Sequence, residues 1–277
     1  VRPFLISVIL LLLALPTSAQ PPSPCPSKTH YSFGMVPVAA ANLFAIWSGK
    51  INRELSKQSC YKFDFHSAAN FKQFIDKAHN KTFDMVAVPA HLASYLINKE
   101  GYQPMAFLVW ESRYLYITKT NSSLLTLQQF DGITLALPDP LTETSILAKA
   151  ELEAINQSAQ YQHYQNYNQV LHALMESSVD AAVMISPFYN GYKARPHFNN
   201  STQVIHSAAF PSHGMLLATE NIGKQQREEL FNTLASLESG SGFLWESFAP
   251  ISSLQLETLH KNQAPSVATL EQLLSTQ

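Results

Sequence analysis

The sequence predicts an α/β fold divided into two lobes with a ligand cleft between them. Short apolar runs bounded by turn residues alternate with stretches whose apolar residues recur at helical spacing, the pattern of a parallel-type sheet covered by helices. That alternation runs once to about residue 112 and then starts again. A chain of 277 residues, 46% of them hydrophobic, can bury a large core and commonly divides into two domains. Clefts between such domains, at the carboxyl ends of strands, are where folds of this class bind small ligands.

The first element is not part of the fold. "VRPFLISVILLLLALPTSAQ" has one cation, Arg2, an apolar run from Phe4 to Leu15 broken only by Ser7, and then Pro16 and the small residues Thr17–Ser18–Ala19. These are the three regions of an export signal. The run is short for a membrane span, which takes about 20 apolar residues. Residues 1–19 are therefore expected to be removed by cleavage after Ala19 on export, with an uncleaved anchor as the alternative. Proline-rich residues 20–30 form an extended lead-in.

The first lobe is expected over 31–112. "YSFGMVPVAA" (31–40) reads as a strand ending in a turn at Pro37, and 41–58 as a helix with Leu43, Ile46, Trp47, Ile51 and Leu55 on one face. "YKFDFHSA" (61–68) alternates like a strand. Residues 70–80 form a helix with Phe71 and Phe74 in its apolar stripe, "FDMVAVPA" (83–90) is a buried strand, 91–101 is a helix stopped by Gly101, and 102–110 is a strand. Trp47, Phe71 and Phe74 are assigned to the core.

The second lobe, 113–210, repeats the scheme. Strands are expected at 113–119, 133–140 and 179–186, with a further strand and turn over 159–168. Helices are expected at 124–132, 142–156 and 169–178. Residues 211–277 form a return segment packed on the first lobe, with helices at 223–238 and about 265–275.

Composition narrows the function. The formal charge is −2 at pH 7, no basic block suggests nucleic acid, and 16 Phe with 11 Tyr exclude general disorder. The histidines are scattered, without a zinc-binding HExxH, and no G-x-S-x-G nucleophile elbow occurs. No catalytic residue, metal or cofactor is assigned, and an exported hydrolase is the disfavoured alternative. Cys25 and Cys60 are the two cysteines of a chain bound for an oxidising compartment. They form either a disulfide or two buried thiols.

Four segments, "YSFGMVPVAAANLFAIW", "FDMVAVPAHLASYLINKEGYQPMA", "LLTLQQFDGITLALPDPLTETS" and "YNQVLHALMESSVDAAVM", resemble in order the periplasmic phosphate/phosphite/phosphonate-binding proteins of ABC transporters. The third resembles that family's serine–leucine–x–aspartate–leucine–x–glycine stretch with the strand and turn that follow. The resemblance covers about 31–218. It implies a monomeric, two-lobed class II periplasmic binding protein that closes on a small anionic or polar ligand and serves an ABC permease. A sensor reporting to a membrane receptor keeps the same fold and is the alternative.

The resemblance also implies a site. Family hydroxyls at the start of a second-lobe helix hold phosphonate oxygens, and Thr142, Thr144 and Ser145 match them. Hydroxyls and free helix-start N–H groups together favour an anion. The alternative is local capping, with Asp139 as N-cap and Pro140 as first helical residue. The chain reads "TETS" where the family has serine–threonine–serine–glycine, so Glu143 puts a carboxylate beside the cradle or points outward at the helix start. Tyr167 stands where many members have histidine and can offer one hydrogen bond but no cation. His91, after "VAVPA", matches a cleft position or is a satisfied helix-start histidine. Tyr114, near the lobe crossing, packs on an organic ligand or in the hinge.

Overall fold

The computed structural model describes residues 29–38, 41–109, 112–195, 198, 200–236 and 247–276. The expected leader, the lead-in and Cys25 lie outside the described residues, as does the side chain of Trp47. Cys60 is disulfide-bonded.

Two sheets organise the chain. The first contains β1 (Thr29–Met35), β2 (Tyr61–His66), β3 (Met85–Val88) and β4 (Gln103–Val109), completed by β10 (Gly214–Ala218) and β11 (Ser247–Ala249) in the order β11-β4-β10-β3-β1-β2. The second contains β5 (Arg113–Lys119), β6 (Thr134–Leu137), β7 (Gln160–His163), β8 (Ala181–Ile185) and β9 (Thr202–Ala209) in the order β7-β6-β8-β5-β9. Every residue of β3 and β8 is buried, which is why both segments read as unbroken apolar runs.

The sheets are mixed, a correction to the parallel-type expectation. β1 pairs in parallel with β2 and β3, and β6 with β7 and β8. β10, however, lies antiparallel between β3 and β4, and β5 antiparallel between β8 and β9. The cause is the double passage between sheets: β4 leads directly into β5, and the chain returns from β9 into β10, which enters the first sheet from the opposite direction.

Helices cover the sheets: α1 (Ala41–Gln58), α2 (Phe71–His79), α3 (Ala90–Glu100), α4 (Glu143–Ala154), α5 (Tyr167–Met175), α6 (Ser186–Lys193), α7 (Lys224–Ala235) and α8 (Ser253–Ser275). Asn70 caps α2 by accepting from the Gln73 N–H at 2.9 Å. Phe71, Phe74, Ile75 and Ala78 form its buried stripe. Gly101 closes α3 at φ 69, a left-handed conformation that suits glycine.

Three helical expectations change. Residues 124–132 hold only a short 3-10 turn, Leu127–Gln129, because Thr126 and Gln129 cap one another's backbone across it. The segment 186–193, where no helix was expected and the strand over 179–186 was expected to end, is a helix with Pro187 in its first turn. The helix expected from about 265 begins at Ser253 and runs through Pro265. Proline cannot complete the bond to the carbonyl of Lys261, but both residues are exposed, so water reaches that carbonyl. Leu259 and Leu270, one on each side of Pro265, remain buried in the core shared with α3.

The lobes meet in that same core. Leu141 and Ile146, from the second sheet's side, are buried among Phe71, Val88, Ala90 and Leu92 of the first. Burying such side chains stabilises by about 1.5–3 kcal/mol each.

Candidate functional site

Between the two sheets lies a cavity of about 100 Å³. The end of β3 and the start of α3 supply Val88 and Pro89, the end of β1 supplies Met35 and Val36, and Gly214 of β10 lies beside them. The opposite wall is the start of α4, with Thr142, Glu143 and Thr144, together with Tyr167 at the first turn of α5. Gly214 is required there: a Cβ would stand 2.7 Å from the Val88 carbonyl oxygen.

The residues of "TETS" are divided between capping and the cleft. Thr142, not Asp139, is the N-cap of α4, its hydroxyl oxygen accepting from the Ser145 N–H at 3.2 Å while donating to the Asp139 carbonyl at 2.8 Å. The Ser145 hydroxyl donates to the Pro138 carbonyl at 3.0 Å, and Ser145 is not among the cavity-lining residues. Pro140 therefore precedes the helix rather than opening it. Thr144 and Tyr167 share a hydrogen bond of 2.8 Å. Burial holds the Tyr167 phenol well above its usual range, so it is neutral and keeps its proton.

Asp139 has a different task from the one expected. Its Oδ1 accepts from Leu141 N–H at 2.9 Å, and its Oδ2 accepts from Phe71 N–H at 3.3 Å, where α2 begins in the other lobe. A carboxylate at a helix N-terminus is favoured by the dipole and by the unpaired N–H groups there.

Glu143 does not point outward. It lines the cavity with only 5% of its surface exposed, and Oε1 accepts from the Gln263 side-chain amide of α8 at 2.9 Å. His91, fully buried at the start of α3, lies behind it. Its Nε2–H donates to the Leu141 carbonyl at 2.9 Å, and its Nδ1 stands 3.7 Å from Glu143 Oε2 with no hydrogen-bond partner. His91 is not among the cavity-lining residues.

Tyr114 is also buried away from the cavity wall. It pairs with Ile185 across β5 and β8, and its ring lies 5.4 Å from that of Phe210, which does line the cavity. Two contributors were missed in the sequence. Gln263 carried no local signal because its helix was not expected to extend that far. Asp139 was read only for capping its own helix.

Apolar side chains dominate the walls, and no lysine or arginine lines the cavity among the described residues. An anion would face Glu143 with no lysine or arginine among the described wall residues to offset it. Two like unit charges about 5 Å apart, at an effective dielectric of about 20, repel by roughly 3 kcal/mol.

Residues 33–249 match the family model described as "ABC transporter, phosphonate, periplasmic substrate-binding protein". The chain belongs to this family. Its members' two-lobed class II architecture accounts for the paired sheets and the cleft. Solved structures share the fold at low sequence identity. PhnD1 from Prochlorococcus marinus, in complex with methylphosphonate, superposes with a TM-score of 0.74 at 13% identity, covering 85% of this chain and 97% of that one. A binding-protein component of an ABC phosphonate transporter from Pseudomonas aeruginosa gives 0.69 at 14% identity, over 90% and 97%. A Xanthomonas citri protein bound to ATP gives 0.67 at 14%, over 88% and 99%. No curated protein matches the chain by sequence.

Proposed function

We propose that this chain captures a small polar solute in the cleft between its lobes and delivers it to an ABC permease, without chemical conversion. The observation that carries the reading is the cavity itself. It is walled on one side by β3, α3 and Gly214, and on the other by the start of α4 and Tyr167. Family membership supports transport and periplasmic residence. A phosphonate-like ligand is the family's first expectation, and it is supported by the position of Thr142 and Thr144, at the start of α4, in the cavity wall. The buried carboxylate of Glu143 opposes it.

A melting-temperature screen of the chain lacking residues 1–19 tests the reading. A true ligand, bound by the native state alone, adds about 2.7 kcal/mol of stability at a hundred times its Kd. Phosphate, phosphonates, sulfonates, carboxylates and amines form the panel. A solute that raises the midpoint in proportion to the logarithm of its concentration supports capture, and silence across the panel removes the reading.

A further inference from the structure

We infer that the captured solute carries an apolar body and a cationic nitrogen head, anchored on Glu143; this rests on the solute-binding reading and specifies its ligand class. The hydroxyl protons that an anion would use are largely committed. Thr142 donates to the Asp139 carbonyl and Ser145 to the Pro138 carbonyl, and the Thr144–Tyr167 hydrogen bond uses one of that pair's two protons. The positive end of α4 already has a negative group in its first turn, Glu143 itself.

What the cavity offers in surplus is acceptor capacity. A carboxylate has about four lone-pair sites, and one Glu143 oxygen takes a single amide hydrogen from Gln263. A nine-tenths-buried carboxylate facing an apolar cavity is costly to leave without a counter-charge. His91 supplies no hydrogen bond to it, since Nδ1 stands 3.7 Å away. A primary or secondary ammonium would donate to Glu143 and be within the same small chamber as the Thr144 and Tyr167 oxygens. Its carbon chain would lie against Val36, Val88 and Phe210.

Three probes of one carbon skeleton separate head-group from body: propylammonium, 1-propanol and propylphosphonate, titrated calorimetrically into wild type and Glu143→Gln. Wild type is expected to bind propylammonium at least tenfold more tightly than either other probe. Glu143→Gln is expected to weaken propylammonium tenfold or more and to strengthen propylphosphonate. The inference is overturned if wild type prefers propylphosphonate, if propylammonium does not bind, or if the substitution leaves its affinity unchanged. Should Glu143→Gln fail to fold, the ranking in wild type decides alone. A phosphonate or other anion bound in the broader screen would sink this inference while leaving solute capture standing.

Discussion

The Nε2–H of His91 donates to the backbone carbonyl of Leu141 at 2.9 Å, joining the first turn of α3 in one lobe to the segment before α4 in the other. Both groups are buried, so the bond has no water to replace it. Together with Asp139 on the start of α2 and Gln263 on Glu143, it fastens the lobes at the cavity's edge.

Replacing His91 with alanine leaves the Leu141 carbonyl buried without its donor. The expected cost is about 1–3 kcal/mol, read as a lower midpoint in urea unfolding. Solution scattering should also register a more open mean shape. An unchanged midpoint with unchanged shape would show that the bond contributes nothing to closure.

Thr142 and Thr144 are expected to separate stability from binding. Thr142→Ala removes the N-cap of α4 and should lower stability by about 1 kcal/mol. Thr144→Val keeps the shape and removes the hydroxyl paired with Tyr167, so the greater effect should fall on ligand affinity. Parallel denaturation and calorimetry check both. Equal loss of affinity in the two variants would mean that the whole turn contacts the ligand.

His260 on α8 sets a pH dependence. Its Nδ1 lies 2.8 Å from the Ser94 hydroxyl and 3.2 Å from the Asn98 amide of α3, and burial lowers its pKa below the ordinary histidine value. Below about pH 6.5 the unfolded chain therefore binds more protons at this site than the folded one does. Its contribution is fully present above that pH and is lost as pH falls through the window down to the folded pKa. Denaturation at pH 5 to 8 should show a steeper acid-side decline in wild type than in His260→Gln. Superimposable slopes would rule the contribution out.

Gly214→Ala places a methyl group against the Val88 carbonyl at the cavity end of the β3–β10 ladder. Backbone atoms cannot step aside as a flexible side chain would. A loss of about 1–3 kcal/mol is expected in thermal or urea unfolding, together with weakened ligand binding because both residues line the cavity. A variant as stable as wild type would show that the strand can shift freely.

Local sequence determined the elements whose signal repeats within a few residues. The unbroken run of β3, the buried stripe of Phe71, Phe74, Ile75 and Ala78, the glycine stop at Gly101 and the hydroxyl start of α4 were all legible, because burial and helix-end chemistry each leave their signal within a few adjacent residues. Tertiary structure alone decided what those elements do together. β10 inserts between β3 and β4 from more than a hundred residues away, and no local period encodes a strand's direction. α8 persists through Pro265 because Leu259 and Leu270, on either side of it, are both buried in the same core. The side chain of Glu143 could equally have faced water from a helix start. A glutamine 120 residues later fixes it in the cleft, and only folding brings that amide within 2.9 Å of the carboxylate.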